Sequence, residues 1–261
     1  MKTNRIIQGD CLDVMKTFKD GIIDLTVTSP PYDNLRTYNG YTFDFEGIAK
    51  QLFRITKTGG VVVWVVGDAT IKGSETCISF KQALYFKEIG FNLHDTMIYQ
   101  KKNYMPLTHN RYEQSFEYMF ILSKGKPNVF NPIKIKCDTV GTKRNRGGSK
   151  GSEKTYSERK RAEKTIVNKY KQSANVFMYK VGENDKTIHK APFPEQLAND
   201  HIISWSNKND LVFDPFMGSG TTAKMAIKNN RQYLGCEISK EYIDIANKRI
   251  KHTCGLEELL K

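Results

Sequence analysis

Two segments of this 261-residue chain combine residue types that could do chemistry on a ligand: Thr28-Ser29-Pro30-Pro31-Tyr32 and Asp214-Pro215-Phe216-Met217-Gly218-Ser219-Gly220-Thr221-Thr222. In the later one, Gly218 and Gly220 let the backbone take conformations that a Cβ obstructs and let a ligand approach closely. Leu211-Val212-Phe213 before it suits a buried strand, and Thr221-Thr222-Ala223-Lys224-Met225-Ala226 after it opens a helix. Gln232 to Glu237 reads as the next strand and ends in an acid 17 positions after Gly220. In nucleotide-binding α/β folds a carboxylate at that place accepts hydrogen bonds from ribose hydroxyls, so Glu237 is the expected ribose ligand. A tight turn with no ligand is the plain reading of the glycine pair alone, and the acid weighs against it. The Gly-x-x-x-x-Gly-Lys-Ser/Thr spacing of a phosphate-cradling loop is absent, which argues against a nucleoside triphosphatase.

The early segment follows the β-rich run Ile22 to Val27, at the carboxyl end of a strand, where open α/β sheets bind ligands. Pro30 and Pro31 fix φ and lack N–H donors, which stiffens the turn and leaves carbonyl acceptors. Ser29 adds a hydroxyl acceptor. Tyr32 supplies a ring on which a base could stack, a contact worth about 1 to 3 kcal/mol. The set suits a clamp for a planar amine, with an ordinary Pro-Pro loop as the bland alternative.

The elements that must position these residues alternate along the chain. Strands are expected at Ile6–Asp10, Ile23–Thr28 and Val61–Val66, with helices at Leu12–Phe18 and Ile48–Ile55, the second stopped by Thr58-Gly59-Gly60. A helix at Ser79–Ile89 precedes two antiparallel strands, Phe91–Gln100 and Glu117–Leu122. Helices at Leu197–Trp205 and Lys240–Ile250 complete the pattern. Trp64 is expected in the core, and Asp68 as a turn cap.

Charge is unevenly spread. Lys134 to Lys171 holds 13 Lys and Arg against 4 Asp and Glu, so +9 of the chain's +13 net charge lies in that stretch. It reads as an insert that contacts phosphates, with a disordered basic loop as the alternative. Five cysteines with no C-x-x-C pair argue for a reducing interior and against a disulfide framework or zinc site. No run of 18 apolar residues appears, so a soluble cytoplasmic protein without a membrane partner is expected.

At the two boxes the sequence resembles the DNA amino-methyltransferases of the permuted, β-type motif order, which use S-adenosylmethionine. Thr28 to Tyr32 is similar to that family's (D/N/S)PP(Y/F/W) catalytic box, and Asp214 to Thr222 to its DPF-x-GSGTT cofactor box. Arg5 to Cys11 looks like the strand that lines the cofactor adenine, with contacts at Asp10 and Cys11. His189 to Leu197, which contains Pro194, looks like the segment that closes over the methionine part. Relatives acting on protein glutamine or RNA usually carry the boxes in the opposite order. A C5-cytosine enzyme needs a nucleophilic cysteine beside a proline. The residues before Cys11, Cys77, Cys137, Cys236 and Cys254 are Asp, Thr, Lys, Gly and Thr.

The resemblance implies a Rossmann-like α/β fold: a doubly wound, mostly parallel, seven-stranded sheet with circularly permuted motif order. A catalytic part at 1–126, a basic target-recognition insert at 127–188 and a cofactor part at 189–261 are implied with it. Ser29, Pro30, Pro31 and Tyr32 would be catalytic. Asp10, Cys11, Pro194, Asp214, Pro215, Phe216, Gly218, Ser219, Gly220, Thr221, Thr222 and Glu237 would hold the cofactor. Arg111, Lys143, Arg144, Arg146, Arg159, Lys160 and Arg161 would touch double-stranded DNA. No metal is expected, and a homodimer and a cognate restriction endonuclease in the host are both compatible. Serine in the box goes more often with cytosine N4 than with adenine N6, which stays the alternative. An inactive nucleic-acid-binding module is a remote one.

Overall fold

The computed structural model describes residues 2–31, 43–104, 110–145, 164–180 and 194–259, by backbone alone at 144–145, 164–165 and 254–259. Contacts divide the chain into a larger unit, 1–131 with 175–261, and a smaller one, 132–174.

The larger unit opens with β1 (Arg5–Gln8), α1 (Cys11–Lys16), β2 (Ile23–Thr28), α2 (Phe45–Ile55) and β3 (Thr56–Val66). A small hairpin, β4 (Thr70–Ile71) and β5 (Ser74–Glu75), leads into α3 (Ile78–Glu88), β6 (Asn92–Lys101) and β7 (Phe116–Ser123). The smaller unit contributes β8 (Lys134–Lys136), β9 (Lys143–Asn145), β10 (Lys164–Ile166) and β11 (Tyr170–Gln172). The larger unit resumes with β12 (Val176–Tyr179), α4 (Glu195–Trp205), β13 (Leu211–Asp214), α5 (Thr221–Lys228), β14 (Gln232–Glu237) and α6 (Lys240–Leu259).

Eight strands form one sheet in the order β1-β14-β13-β2-β3-β7-β6-β12, in which β7 alone runs against its neighbours. The α/β fold with a mostly parallel sheet is as expected, with one correction: the sheet has eight strands, not seven. The added strand, β12, pairs parallel with the end of β6 from Val176↔Ile98 to Tyr179↔Lys101. It lies within the 127–188 span assigned to the insert.

The chain moves from β13 through α5 to β14 on one side, and from β2 through α2 to β3 on the other. The crevice between the carboxyl ends of β13 and β2 is therefore the topological switch point, where open α/β sheets take ligands. Both faces are covered, which explains why Val61 to Val66 is apolar throughout. Val61, Val63 and Val65 pack with Leu197, Ile202 and Met225 of α4 and α5, while Val62, Trp64 and Val66 pack with Leu52 and Phe86 of α2 and α3. Trp64 is fully buried, and its indole Nε1 donates to Gln82 Oε1 at 2.8 Å, so the polar tip is satisfied. The Asp68 carboxylate reaches the first turn of α3, whose N-cap position is Cys77: it accepts from Ser79 N at 3.0 Å and from the Ser79 hydroxyl.

The smaller unit is built on two antiparallel pairs, β8 with β11 (Lys136↔Tyr170) and β9 with β10 (Ile166↔Lys143). Cys137 is its one buried apolar residue among those described.

Candidate active site

The two boxes meet at the switch point. Asp214 ends β13 and Thr28 ends β2, and Thr28 Oγ1 donates to Asp214 Oδ1 at 2.7 Å. The same carboxylate accepts from Phe216 N at 3.0 Å and from Thr222 Oγ1 at 2.7 Å. It is 1 % exposed, and burial pushes its pKa up to about 6, against the pull of those three donors. Asp214 thus ties together β2, β13 and the first turn of α5. Its carboxylate serves the turn from within.

Beyond it, Pro215 is buried and the Phe216 ring packs edge-on to Phe43 at 5.8 Å and near Trp64 at 6.4 Å. Gly218 and Gly220 have φ of +51° and +85°, in the left-handed region that favours glycine. A Cβ on Gly220 would come within 2.9 Å of the Ala246 Cβ on α6. Ser219, Thr221 and Thr222 are buried. The first bond inside α5 runs from Lys224 N to Gly220 O, and no side chain caps its start. Amides of the first helical turn have no acceptor earlier in their own helix, which makes this terminus suited to an anionic group.

Glu237 ends β14 beside this turn: its Oε2 accepts from Gly218 N and its Oε1 from Ser239 N, both at 2.8 Å. Its backbone carbonyl accepts from Gly9 N at 3.0 Å, which brings Asp10 to the same edge. Asp10 N-caps α1, accepting from Leu12 N at 2.7 Å. Cys11 is buried, and burial raises its thiol pKa to about 12, so it is not a thiolate nucleophile. Pro194 caps α4 through its carbonyl, which accepts from Leu197 N at 3.0 Å.

On the catalytic side, half-buried Ser29, buried Pro30 and half-buried Pro31 continue from Thr28 past the end of β2. Tyr32 lies outside the described residues. Arg111 is exposed, and its guanidinium donates to Gly73 O at 2.6 Å and Thr70 Oγ1 at 3.2 Å, which pins the β4–β5 hairpin. Lys143 is exposed on β9. The Arg144 side chain and Arg146, Arg159, Lys160 and Arg161 lie outside the described residues.

Sequence reasoning missed a charged group that braces the 214–222 turn. Arg249 of α6 donates from Nη1 to Ser219 O at 2.9 Å and Ser219 Oγ at 2.7 Å, and from Nη2 to Glu195 Oε1 at 2.8 Å. Lys224 pairs with the same Glu195 oxygen. No local spacing signals it, because Arg249, Glu195 and Lys224 come from three different helices.

Residues 23–248 match the family described as DNA methylase, N6/N4 type. The chain belongs to that family. It is 56% identical over 242 residues to the orphan methyltransferase M.BamHII of Bacillus amyloliquefaciens, covering 89% of this chain and 90% of the relative. The PvuII DNA methyltransferase, described as cytosine-N4-specific, superposes with a TM-score of 0.71 at 20% identity, over 95% of this chain and 86% of that one; the likeness is one of fold. The M1.HpyAVI complex with S-adenosylmethionine gives a TM-score of 0.62 at 26% identity, over 94% and 98%. S-adenosylmethionine is the cofactor of this N6/N4 methylase. The chain's residues fit it: left-handed glycines for close approach, open helix-terminal amides for a carboxylate, and an acid at the end of β14. Among the described residues no helix is long and apolar enough to cross a membrane.

Proposed function

We propose that this N6/N4 methylase transfers a methyl group to the N4 amine of a cytosine flipped out of double-stranded DNA, at a specific site. The observation that carries the reading is the Ser29-Pro30-Pro31 turn at the carboxyl end of β2, held through Thr28 and Asp214 against the cofactor turn.

S-adenosylmethionine, when bound, supplies an electrophilic methyl on a sulfonium. The chain's own task is to prepare the amine. An amino nitrogen on cytosine is a poor nucleophile because its lone pair is delocalised into the ring. Ser29 Oγ and the Pro30 carbonyl accept hydrogen bonds from its two N–H groups and draw the nitrogen toward tetrahedral geometry, and the amine, once methylated, gives up one of those protons to water. Pro30 and Pro31 keep those acceptors fixed, so positioning rather than proton transfer lowers the barrier. Tyr32 provides the stacking face for the flipped base. Glu237 holds the ribose, with Asp10 and Cys11 beside the adenine, and Pro194 and the 214–222 turn enclose the methionine part.

DNA is held chiefly by the basic insert, where Lys143, Arg144, Arg146, Arg159, Lys160 and Arg161 meet phosphates. Arg111, exposed beside the hairpin it pins, adds a further phosphate contact. The serine in the box supports cytosine over adenine, because a hydroxyl is the acceptor that goes more often with N4 transfer. Nucleoside mass spectrometry of DNA treated with the protein and S-adenosylmethionine tests the choice: N4-methylcytosine is expected, and N6-methyladenine in its place overturns it.

A further inference from the structure

Ser219 stands between the two left-handed glycines, so its orientation sets where the first amides of α5 point. Within the turn a backbone bond from Gly220 N to Met217 O at 2.9 Å spans it. Arg249 adds a hold from outside, by donating from one nitrogen to both the carbonyl and the hydroxyl of Ser219. The guanidinium is itself oriented by Glu195, at the start of α4, and Glu195 also takes Lys224 from α5. The Arg249 and Glu195 side chains are only 14% and 13% exposed. Charges so shielded interact more strongly than a surface pair and hold one geometry. Three helices are thus pinned at the one residue that aims the turn.

We propose that Arg249 is a positioning residue for the amino-acid end of S-adenosylmethionine: braced by Glu195, it holds Ser219 so that the N-terminal amides of α5 face the cofactor's carboxylate. The proposal rests on the cofactor reading of the 214–222 turn. A carboxylate suits this place because it accepts several N–H bonds at the positive end of a helix dipole. The nucleoside end is assigned to other residues, Glu237 and the Asp10–Cys11 edge. Arg249 therefore discriminates between ligands that carry the amino-acid end and ligands that lack it. A residue that merely stabilised the fold would treat both alike.

The test is calorimetric binding of S-adenosylhomocysteine and of 5′-methylthioadenosine, which shares the nucleoside but has no amino-acid end, to the wild type, Arg249→Ala, Arg249→Lys and Glu195→Gln. Arg249→Ala should weaken S-adenosylhomocysteine about tenfold or more, as expected for losing charge-assisted bonds, while methylthioadenosine stays within about twofold. Arg249→Lys should recover part of the loss, and Glu195→Gln should show a smaller loss of the same selectivity. Parallel losses for both ligands, or no loss for either, would overturn the proposal. If Arg249→Ala does not fold, the same selectivity ratio in Arg249→Lys and Glu195→Gln decides. A wild type that binds neither ligand would instead sink the cofactor reading itself.

Discussion

The two turns at the switch point, for which we propose adjacent jobs, are built of different materials. The turn after β13 is held by hydrogen bonds: Asp214 gathers Thr28, Thr222 and Phe216 N, Glu237 takes Gly218 N, and Arg249 takes Ser219. Its left-handed glycines, buried acid and shielded ion pairs leave little freedom. In the turn after β2, Pro30 and Pro31 add covalent stiffness, because their rings fix φ. A site that grips a charged, many-atomed cofactor needs donors and an acid in defined places. A site that aligns one amine needs stiff acceptors. The Thr28–Asp214 bond is where they join, so one turn can be damaged while the other still works.

Damage to the basic insert should leave both turns untouched. Replacing Lys143, Arg144, Arg146, Arg159, Lys160 and Arg161 with Gln should flatten the log-log salt dependence of DNA affinity by several units, at roughly 0.9 per lost phosphate contact, with cofactor uptake unchanged. Equal slopes for wild type and variant would place the DNA-contacting surface elsewhere. Gly218→Val puts a β-branched residue at φ +51° and should lower cofactor affinity by roughly tenfold to a hundredfold. Equilibrium dialysis showing normal uptake would remove the turn from the cofactor site.

Asp214→Asn probes the joint. In the folded chain this carboxyl holds its proton up to about pH 6, against an ordinary value of 3.8, because burial disfavours the anion. Its contribution to stability is therefore fully present below the ordinary value and is lost as pH rises through about 6. Relative to the Asn variant, the wild type should lose on the order of 3 kcal/mol across that window, read from urea midpoints as a function of pH. Parallel curves would mean that Asp214 carries no such burden. An effect of comparable size on cofactor affinity is expected from Glu237→Gln, which keeps the shape and loses charge: equilibrium dialysis should show binding weakened by about 1 to 3 kcal/mol.

Much of the sheet was legible because its strands are unbroken apolar runs. Val61 to Val66, Leu211 to Phe213 and Tyr233 to Cys236 could bury both faces only at the centre of a sheet covered on both sides. Helix ends were marked by glycines, as at Gly90; Asp10, expected to end a strand at Ile6–Asp10, instead lies past β1 and N-caps α1. The helix before Thr58-Gly59-Gly60 ends at Ile55 as expected, but the strand starts earlier than Val61: the three residues lie within β3, where Gly59 takes φ +81° and the pairing with β2 skips from Ile23↔Thr56 to Leu25↔Val61. A glycine pair after a helical run signals a stop equally well in either case. Strand β12 escaped because it is an edge strand of four residues with Val176 and Met178 about half exposed, next to a charged stretch. Arg249, Lys224 and Glu195 escaped for another reason. Their meeting depends on how three helices pack, and no local spacing records that.

The division of labour between the turns is tested most directly by Ser29→Ala, assayed for S-adenosylmethionine binding by equilibrium dialysis and, in the same preparation, for single-turnover methyl transfer to DNA. If Ser29 aligns the amine while the Asp214–Thr222 turn holds the cofactor, binding should stay within about twofold and transfer should fall by about a hundredfold or more. A variant whose binding and transfer fall together, or whose transfer is unchanged, would contradict the account.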